Sequence, residues 1–211
     1  MTNSNKKHFH IMDMDGTILD SMPVWINIDD TYLESKGVTP PDNIARIVEK
    51  MTMMESCAYF HDLGVDMAPE EIYEDIMNQI YDEYLYHVPI KGHMNKLFEK
   101  IKKKNEKICL FTSSEKRCAV AAFKRLGILE YFDCIYTSAE LGIKKTTPAS
   151  FLHICSEHGY LPEDTYVYED ALYAIKSAKE AGCHIVAVSD PSSAKDWNEI
   201  KSLADELIIG E

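Results

Sequence analysis

The sequence predicts an α/β protein: a parallel β-sheet with helices on both faces, into which an α-helical domain is inserted. From residue 91 onward, short apolar runs alternate with helical stretches of about 10–15 residues, a pattern typical of such a sheet. Between residues 21 and 88 the apolar residues instead follow the period of a helix. The change of period indicates two structural units in one chain.

The segments of the core are short and regularly spaced. We predict strands over 8–13, 107–111, 134–136, 165–168, 184–188 and 206–209, the first of them joining the later sheet. We predict helices over 94–104, 115–126, 148–158, 171–181 and 193–203. The α/β core domain is then formed by residues 1–20 and 89–211.

The inserted domain, residues 21–88, is helical and acidic. Ile72, Ile76 and Ile80 recur at every fourth position with acidic residues between them, and Pro69 suits a first helical turn. The insert contains 14 Asp and Glu against three Lys and Arg, a net charge of −11 out of −13 for the whole chain. The core is therefore nearly neutral.

Composition disfavours several classes of protein. A net charge of −13 over 211 residues is unsuited to a nucleic-acid binder, which needs clustered cations. The longest apolar run, residues 118–123, is far shorter than the roughly 20 residues that span a bilayer. The polar N-terminus offers no signal-peptide core, and the six cysteines have neither a C-x-x-C nor a metal-ligand spacing. We expect a cytoplasmic protein without nucleic-acid or membrane partners.

A pair of aspartates follows the first predicted strand directly. In Asp13-Met14-Asp15-Gly16-Thr17, two carboxylates leave the strand in similar directions, at the edge where open α/β sheets bind ligands. Like charges placed together are unfavourable unless a cation or a shared proton compensates them. The glycine lets the backbone turn sharply after the pair.

Polar residues also end the other predicted strands, and each of them has a structural alternative. Thr112 and Ser113 are candidates for a ligand site, or for caps of the helix that starts near residue 115. Glu169 and Asp170 are candidate metal ligands, or acids that favour a helix N-terminus. A lysine pair at 144 and 145 is a candidate anion site, or a pair of loop charges.

Four motifs in this order resemble those of the haloacid dehalogenase-like phosphohydrolases, and more narrowly the branch of β-phosphoglucomutase and phosphoglycolate phosphatase. They are Asp13-Met14-Asp15-Gly16-Thr17, Leu110-Phe111-Thr112-Ser113-Ser114, Gly142-Ile143-Lys144-Lys145-Thr146-Thr147-Pro148, and Tyr168-Glu169-Asp170 followed by Ala181-Gly182. The resemblance spans nearly the whole chain. It implies a Rossmann-like catalytic core with a helical cap domain.

The resemblance also implies a Mg²⁺-dependent phosphatase. Asp13 would be the nucleophile that forms an aspartyl-phosphate, and Asp15 the general acid and base. Asp13 and Asp170 would bind Mg²⁺ through their carboxylates, Asp15 through its main-chain carbonyl, and Glu169 through water or as a support behind the metal ligands. The substrate would be a small phosphorylated metabolite, such as a sugar phosphate.

The phosphoryl oxygens would be bound by the Thr112 hydroxyl, the Ser113 backbone N–H and a lysine. The family pattern is Lys-Pro-x-Pro, and here only the second proline is kept, as Pro148. That alignment favours Lys145 over Lys144 and leaves both open.

The cap departs from the mutase pattern at two positions. A histidine of the mutases is replaced by Trp25, and an arginine that would bind a second phosphate is replaced by Met54. Both changes favour a phosphatase over a phosphosugar mutase. Lys50 and Arg46 remain candidate substrate contacts, and the acidic cap predicts a preference for substrates with one phosphate.

Two further classes stay as alternatives. A phospho-accepting signalling module also places acids, a Thr and a Lys around an aspartyl-phosphate, but it lacks the large helical insert. A haloacid dehalogenase uses the same nucleophile against carbon, and has no need of Asp15 or of a metal site. The sequence makes no prediction of oligomeric state.

Overall fold

The first strand of the chain lies at the centre of a six-stranded parallel sheet, in the order β3-β2-β1-β4-β5-β6. The computed structural model describes residues 7–49 and 51–210. All four residues of the first strand are buried, as expected for a strand covered on both faces. The strands are β1 (Phe9–Met12), β2 (Lys107–Thr112), β3 (Cys134–Thr137), β4 (Thr165–Glu169), β5 (His184–Val188) and β6 (Glu206–Ile208).

The chain divides into two compact units, of which Ser21–His87 is the helical one. Its helices are α1 (Met22–Ser35), α2 (Ile44–Val48), α3 (Met53–Asp62) and α4 (Pro69–Tyr86). Ile72, Ile76 and Ile80 are buried along one side of α4, as their spacing indicates. A capping box starts α3, because Thr52 and Glu55 each accept the backbone N–H of the other.

The other unit, which contains the residues through Asp20 and from Val88 onward, carries the sheet. Its helices are α5 (Met94–Lys103), α6 (Lys116–Arg125), α7 (Ser138–Leu141), α8 (Pro148–His158), α9 (Leu172–Glu180) and α10 (Trp197–Leu203). Alternate strand residues such as Phe9, Ile11 and Phe111 pack with residues of α8, α9 and α10 into one apolar cluster. The intervening residues face the opposite side, where α5 contacts β2 and α6 contacts β3.

Strand register brings the carboxyl ends of the central strands together. Met12 of β1 pairs with Leu110 of β2 on one side and with Tyr168 of β4 on the other. The strand order reverses at β1, and such a switch point is where open α/β sheets form ligand sites. The residues that follow β1 therefore lie between the ends of β2 and β4.

The predicted fold class is confirmed, and the helices of the core differ from the prediction at two places: the short α7 was not predicted, and α10 starts later than expected. The helix expected from residue 193 begins at Trp197, because a 3₁₀ turn at Pro191–Ser193 precedes it. Asp190 caps that turn by accepting the Ser192 backbone N–H at 2.9 Å. Within the described part of the chain, no helix has the length and apolar character needed to cross a membrane.

Candidate active site

Asp13 follows β1 and is held in place by the neighbouring strand. Its backbone N–H donates to the Tyr168 carbonyl at 3.0 Å, which continues the pairing of β1 with β4 one residue beyond the strand. The side chain is only 8% exposed. Asp13 is thus a buried carboxylate at the switch point of the sheet.

Lys145 reaches Asp13 from the loop before α8. Its ammonium group donates to Asp13 Oδ1, lies 3.4 Å from Glu169 Oε2, and is 5.2 Å from the centre of the Phe111 ring. The side chain is 3% exposed, whereas its neighbour Lys144 is exposed. This geometry favours Lys145 as the lysine of the site.

Three buried carboxylates converge beside that lysine. Oxygen atoms of Asp13, Glu169 and Asp170 all lie within 4.8 Å of one another. Burial raises the pKa of Asp13 and raises that of Glu169 well above its usual range. Burial opposes the charge of Lys145, but the carboxylates of Asp13 and Glu169 outweigh it and raise the pKa of that lysine.

The donor set fits a divalent cation. When ionised, the three carboxylates carry three negative charges, and Lys145 supplies one positive charge. The remaining charge of about −2 in a buried site needs a compensating cation. Hard carboxylate oxygens are the ligands preferred by Mg²⁺.

Asp170 is oriented by hydroxyl groups on both of its oxygens. Thr17 Oγ1 donates to Oδ1 at 3.1 Å, and Ser193 Oγ donates to Oδ2 at 3.3 Å. Burial, and then the negative charges of Asp13 and Asp190, raise the pKa of Asp170 to about 7. The two hydroxyl groups therefore fix the orientation of the carboxylate, and its raised pKa indicates that burial and nearby negative charge outweigh nearby positive charge.

Asp15 stands apart from the carboxylate cluster. It is partly exposed, and its Oδ2 accepts a hydrogen bond from Ser114 Oγ at 2.6 Å. The next residue in the chain, Gly16, has a φ of +79°. A Cβ atom on this glycine would come within 2.5 Å of Asp170 Oδ2, so the close approach requires a residue without a side chain.

The residues that end β2 do not cap the next helix. Thr112 is buried and its hydroxyl accepts the Ser114 backbone N–H at 3.0 Å, while Ser113 is exposed. Helix α6 starts after Glu115, whose side chain makes no capping bond. The capping interpretation is therefore wrong for this turn. Asp170 directly precedes Ala171, the N-cap of α9, so its place at that helix N-terminus agrees with the macrodipole interpretation as well as with metal binding.

Within the helical unit, the candidate contacts have different environments. Trp25 donates its indole N–H to the Tyr84 hydroxyl at 2.8 Å, and Met54 is 41% exposed. Arg46 is exposed on α2. Lys50 lies outside the described residues.

Five residues around the site were given no role from the sequence, although Thr17 and Ser114 belong to the motifs quoted above. Asp190 was detectable, because it follows β5 by two residues, at the same edge as the other strand-end acids. The side chain of Lys91 joins Asp190 to the Gly16 carbonyl, a contact that no local pattern indicates. The complete set is Thr17, Lys91, Ser114, Asp190 and Ser193.

A buried carboxylate beside a lysine, at the switch point of a parallel sheet, defines an α/β enzyme with an acidic active site. A family model described as haloacid dehalogenase-like hydrolase matches residues 10–188. The chain belongs to the haloacid dehalogenase-like hydrolase family. This confirms the resemblance inferred from the four motifs.

Phosphatases are among the known proteins to which the chain is similar. It is 25% identical over 182 residues to a phosphorylated carbohydrates phosphatase of Thermotoga maritima, covering 82% of this chain and 80% of that protein. It is 23% identical over 194 residues to a phosphoglycolate phosphatase of Nitrosococcus oceani, covering 85% and 82%. Its fold is similar to the crystal structure of a candidate β-phosphoglucomutase from Thermotoga maritima, with a TM-score of 0.79, 22% identity and coverage of 96% and 94%.

Replacing Gly16 by Ala should displace Asp170. The matched control is Gly127→Ala, because Gly127 has a similar φ of +68° but open space around its Cβ position. Both variants should lose about 1–2 kcal/mol of unfolding free energy from the left-handed backbone. Only Gly16→Ala should also weaken Mn²⁺ binding, by about tenfold or more. Urea unfolding and calorimetric titration measure the two effects, and equal Mn²⁺ affinity in both variants would contradict this account of Gly16.

Proposed function

We propose that the protein is a Mg²⁺-dependent phosphatase that hydrolyses a small phosphate monoester through an aspartyl-phosphate on Asp13. The enzyme is a phosphoric monoester hydrolase. The observation that carries the proposal is the buried Asp13 carboxylate, in contact with Lys145 and within 4.8 Å of the oxygens of Glu169 and Asp170. A carboxylate can attack a phosphate dianion only where positive charge offsets the repulsion.

Mg²⁺ would be held by the carboxylates of Asp13 and Asp170, with Glu169 as a third ligand or a support through water. The family resemblance adds the main-chain carbonyl of Asp15. When bound, the cation would neutralise the acidic cluster and screen the phosphoryl oxygens.

Proton transfer would be carried out by Asp15. As an Asp13 oxygen attacks phosphorus, the bond to the leaving oxygen breaks, and that oxygen takes a proton from the Asp15 carboxyl. In the second step Asp15 takes a proton from water, whose oxygen attacks phosphorus and releases phosphate and the free Asp13 carboxylate. The Ser114 hydroxyl, 2.6 Å from Asp15 Oδ2, would orient this side chain in both steps.

The phosphoryl group would be held by donors from two segments, the end of β2 with the residue after it and the loop before α8. Lys145 would place a fixed positive charge beside the transferred oxygens, and Thr112 and the Ser113 backbone N–H would donate hydrogen bonds to them. Thr112 is already oriented by the Ser114 N–H, which leaves its own hydroxyl hydrogen free to point elsewhere.

A phosphosugar mutase is the second candidate, because a candidate β-phosphoglucomutase has the same fold. A mutase must bind phosphate at both ends of its substrate. The residues at the two mutase positions, Trp25 and Met54, carry no positive charge, and the indole N–H of Trp25 already donates to Tyr84. These residues support hydrolysis over phosphate transfer between sugar positions.

The helical unit would serve as the cap that selects the leaving group, as lids generally do. Its net charge of −11 would repel substrates that carry a second phosphate, unless Arg46 or Lys50 offsets it. The family relatives that act on phosphorylated carbohydrates and on phosphoglycolate support a small organic phosphate as substrate. A cytoplasmic location and the absence of nucleic-acid partners stay predictions.

Removing the nucleophile should abolish turnover. With p-nitrophenyl phosphate and Mg²⁺, Asp13→Asn should lower kcat by at least about 10³-fold, because an amide cannot form the aspartyl-phosphate. Excess EDTA should remove the activity of the wild type, and added Mg²⁺ should restore it. Asp62→Asn, an exposed change at the end of α3, is the control. Unchanged activity in Asp13→Asn or in EDTA would reject the mechanism.

The adjacent lysines provide a matched pair. Lys145→Ala should lower kcat by about 10²–10³-fold, because it removes the fixed cation beside Asp13. Lys144→Ala should stay close to wild type, since that side chain is exposed. Steady-state kinetics on the same substrate compares them, and the reverse order of effects would assign the role to Lys144.

Charge on the substrate should set the preference. We expect kcat/KM for fructose 6-phosphate to exceed that for fructose 1,6-bisphosphate by about tenfold, a difference of roughly 1.4 kcal/mol in transition-state binding. Released phosphate is the readout, and a panel with phosphoglycolate and nucleotides extends it. Preference for the bisphosphate would contradict the effect of the acidic unit. Conversion of β-glucose 1-phosphate to glucose 6-phosphate without net phosphate release would favour the mutase.

A further inference from the structure

Lys91 joins two loops that end beside the acidic site. It lies just before α5, and its ammonium group donates to three oxygens: the Gly16 carbonyl, the Ser189 carbonyl at 2.9 Å and Asp190 Oδ2 at 2.8 Å. A lysine has three N–H donors, so all of them are used. The side chains of Lys91 and Asp190 are 12% and 1% exposed. These three hydrogen bonds form a buried link between the two loops and not a surface ion pair. We call this link the tether.

On one side, the tether fixes the turn after the aspartate pair. Gly16 has a positive φ, and its N–H donates to the Leu19 carbonyl at 3.0 Å. Lys91 holds the carbonyl of the same glycine, which a backbone without Cβ would otherwise leave free to rotate. The next residue, Thr17, donates its hydroxyl to Asp170 Oδ1.

On the other side, the tether fixes the loop after β5. The second oxygen of Asp190 accepts the N–H and the hydroxyl of Ser192 at 2.9 and 2.6 Å. The Asp190 carbonyl accepts the N–H of Ser193 at 3.1 Å, and Ser193 donates its hydroxyl to Asp170 Oδ2. Both hydrogen bonds that the Asp170 carboxylate accepts from described residues thus come from loops that Lys91 connects.

We propose that Lys91 is a positioning residue for Asp170, which it orients for the divalent metal by joining the loops that carry Thr17 and Ser193. The inference rests on the proposed function, because it concerns the metal of that site. Lys91 itself contacts neither the carboxylate cluster nor Lys145 within the described residues. It acts through hydrogen bonds that other residues make.

Because Lys91 is positively charged, the direction in which cation affinity changes on its removal tests the proposal. If the residue acted only through its positive charge, its removal would leave Asp190 uncompensated and the site more negative, and a cation would bind more tightly. If it acts by orienting Asp170, its removal weakens cation binding. The two explanations predict opposite changes in affinity.

The experiment is calorimetric titration of the full-length protein with Mn²⁺ in the absence of substrate. Lys91→Met should raise the Kd by about 10–100-fold, the usual effect of losing an outer support of a metal ligand. Lys96→Met is the matched control. Lys91 and Lys96 both line a cavity of about 990 Å³, but Lys96 is exposed and bonds to no described residue. Its Kd should equal that of wild type. An unchanged or lower Kd in Lys91→Met would overturn the proposal.

A double-mutant cycle separates positioning from general stability. Ser193→Ala removes one of the two hydrogen bonds to Asp170 and leaves Lys91 in place. If Lys91 acts through this bond, its substitution should raise the Kd by a smaller factor in the Ser193→Ala background than in wild type. Fully additive effects, with far-UV circular dichroism unchanged, would overturn the coupling. If Lys91→Met fails to fold, Lys91→Arg replaces it in the cycle, and we expect this variant to raise the Kd for Mn²⁺ as well.

The outcomes also distinguish this inference from the proposed function. Failure of the wild-type protein to bind Mn²⁺ would reject the metal site and with it both proposals. Normal Mn²⁺ binding by wild type, with Lys91→Met matching Lys96→Met, would reject only the role of Lys91.

Discussion

The structure depends on a buried cluster of charged side chains in which three carboxylates face a single lysine. Asp13, Glu169 and Asp170 lie together in a buried site, where one lysine, Lys145, pairs with the first two. Such a cluster is costly to fold, because buried carboxylates lose hydration and repel one another. The sheet makes the arrangement possible, since β1 at its centre and β4 beside it both end at this edge and hold their acids in a fixed register. A stable apolar cluster beneath the edge, formed with α8, α9 and α10, offsets the cost.

Much of the site was predictable because it follows strand ends. Parallel strands end at the same edge of a sheet, so a run such as Asp13 to Thr17 after one strand and Glu169-Asp170 after another must converge. The fold class was predictable for a related reason: the period of apolar residues differs between helices and buried strands. The lysine pair was harder: the position of Pro148 favoured Lys145 and left both lysines open, whereas the structure buries Lys145 against Asp13 and leaves Lys144 exposed.

The remaining contacts depend on loops, which have no period. Lys91 meets Asp190 across 99 positions of sequence and meets Gly16 across 75, and neither pairing leaves a pattern along the chain. The late start of α10 is a similar case, because one side chain, Asp190, caps the 3₁₀ turn that precedes this helix. Specific side-chain hydrogen bonds set these details, whereas sequence patterns report averages over many residues.

The central position of β1 has a consequence for synthesis of the chain. Asp13 and Lys145 are 132 residues apart, and Thr17 and Asp170 are 153 apart, so all of the chain between these partners must leave the ribosome before the site exists. Until β4 emerges, one edge of the apolar strand β1 has no partner. Contacts between residues so far apart in sequence form slowly, because closing the intervening chain into a loop lowers its conformational entropy. Strand β1 is made before its partners β2 and β4 and is paired on both edges only late, so it is the segment that a chaperone would need to protect.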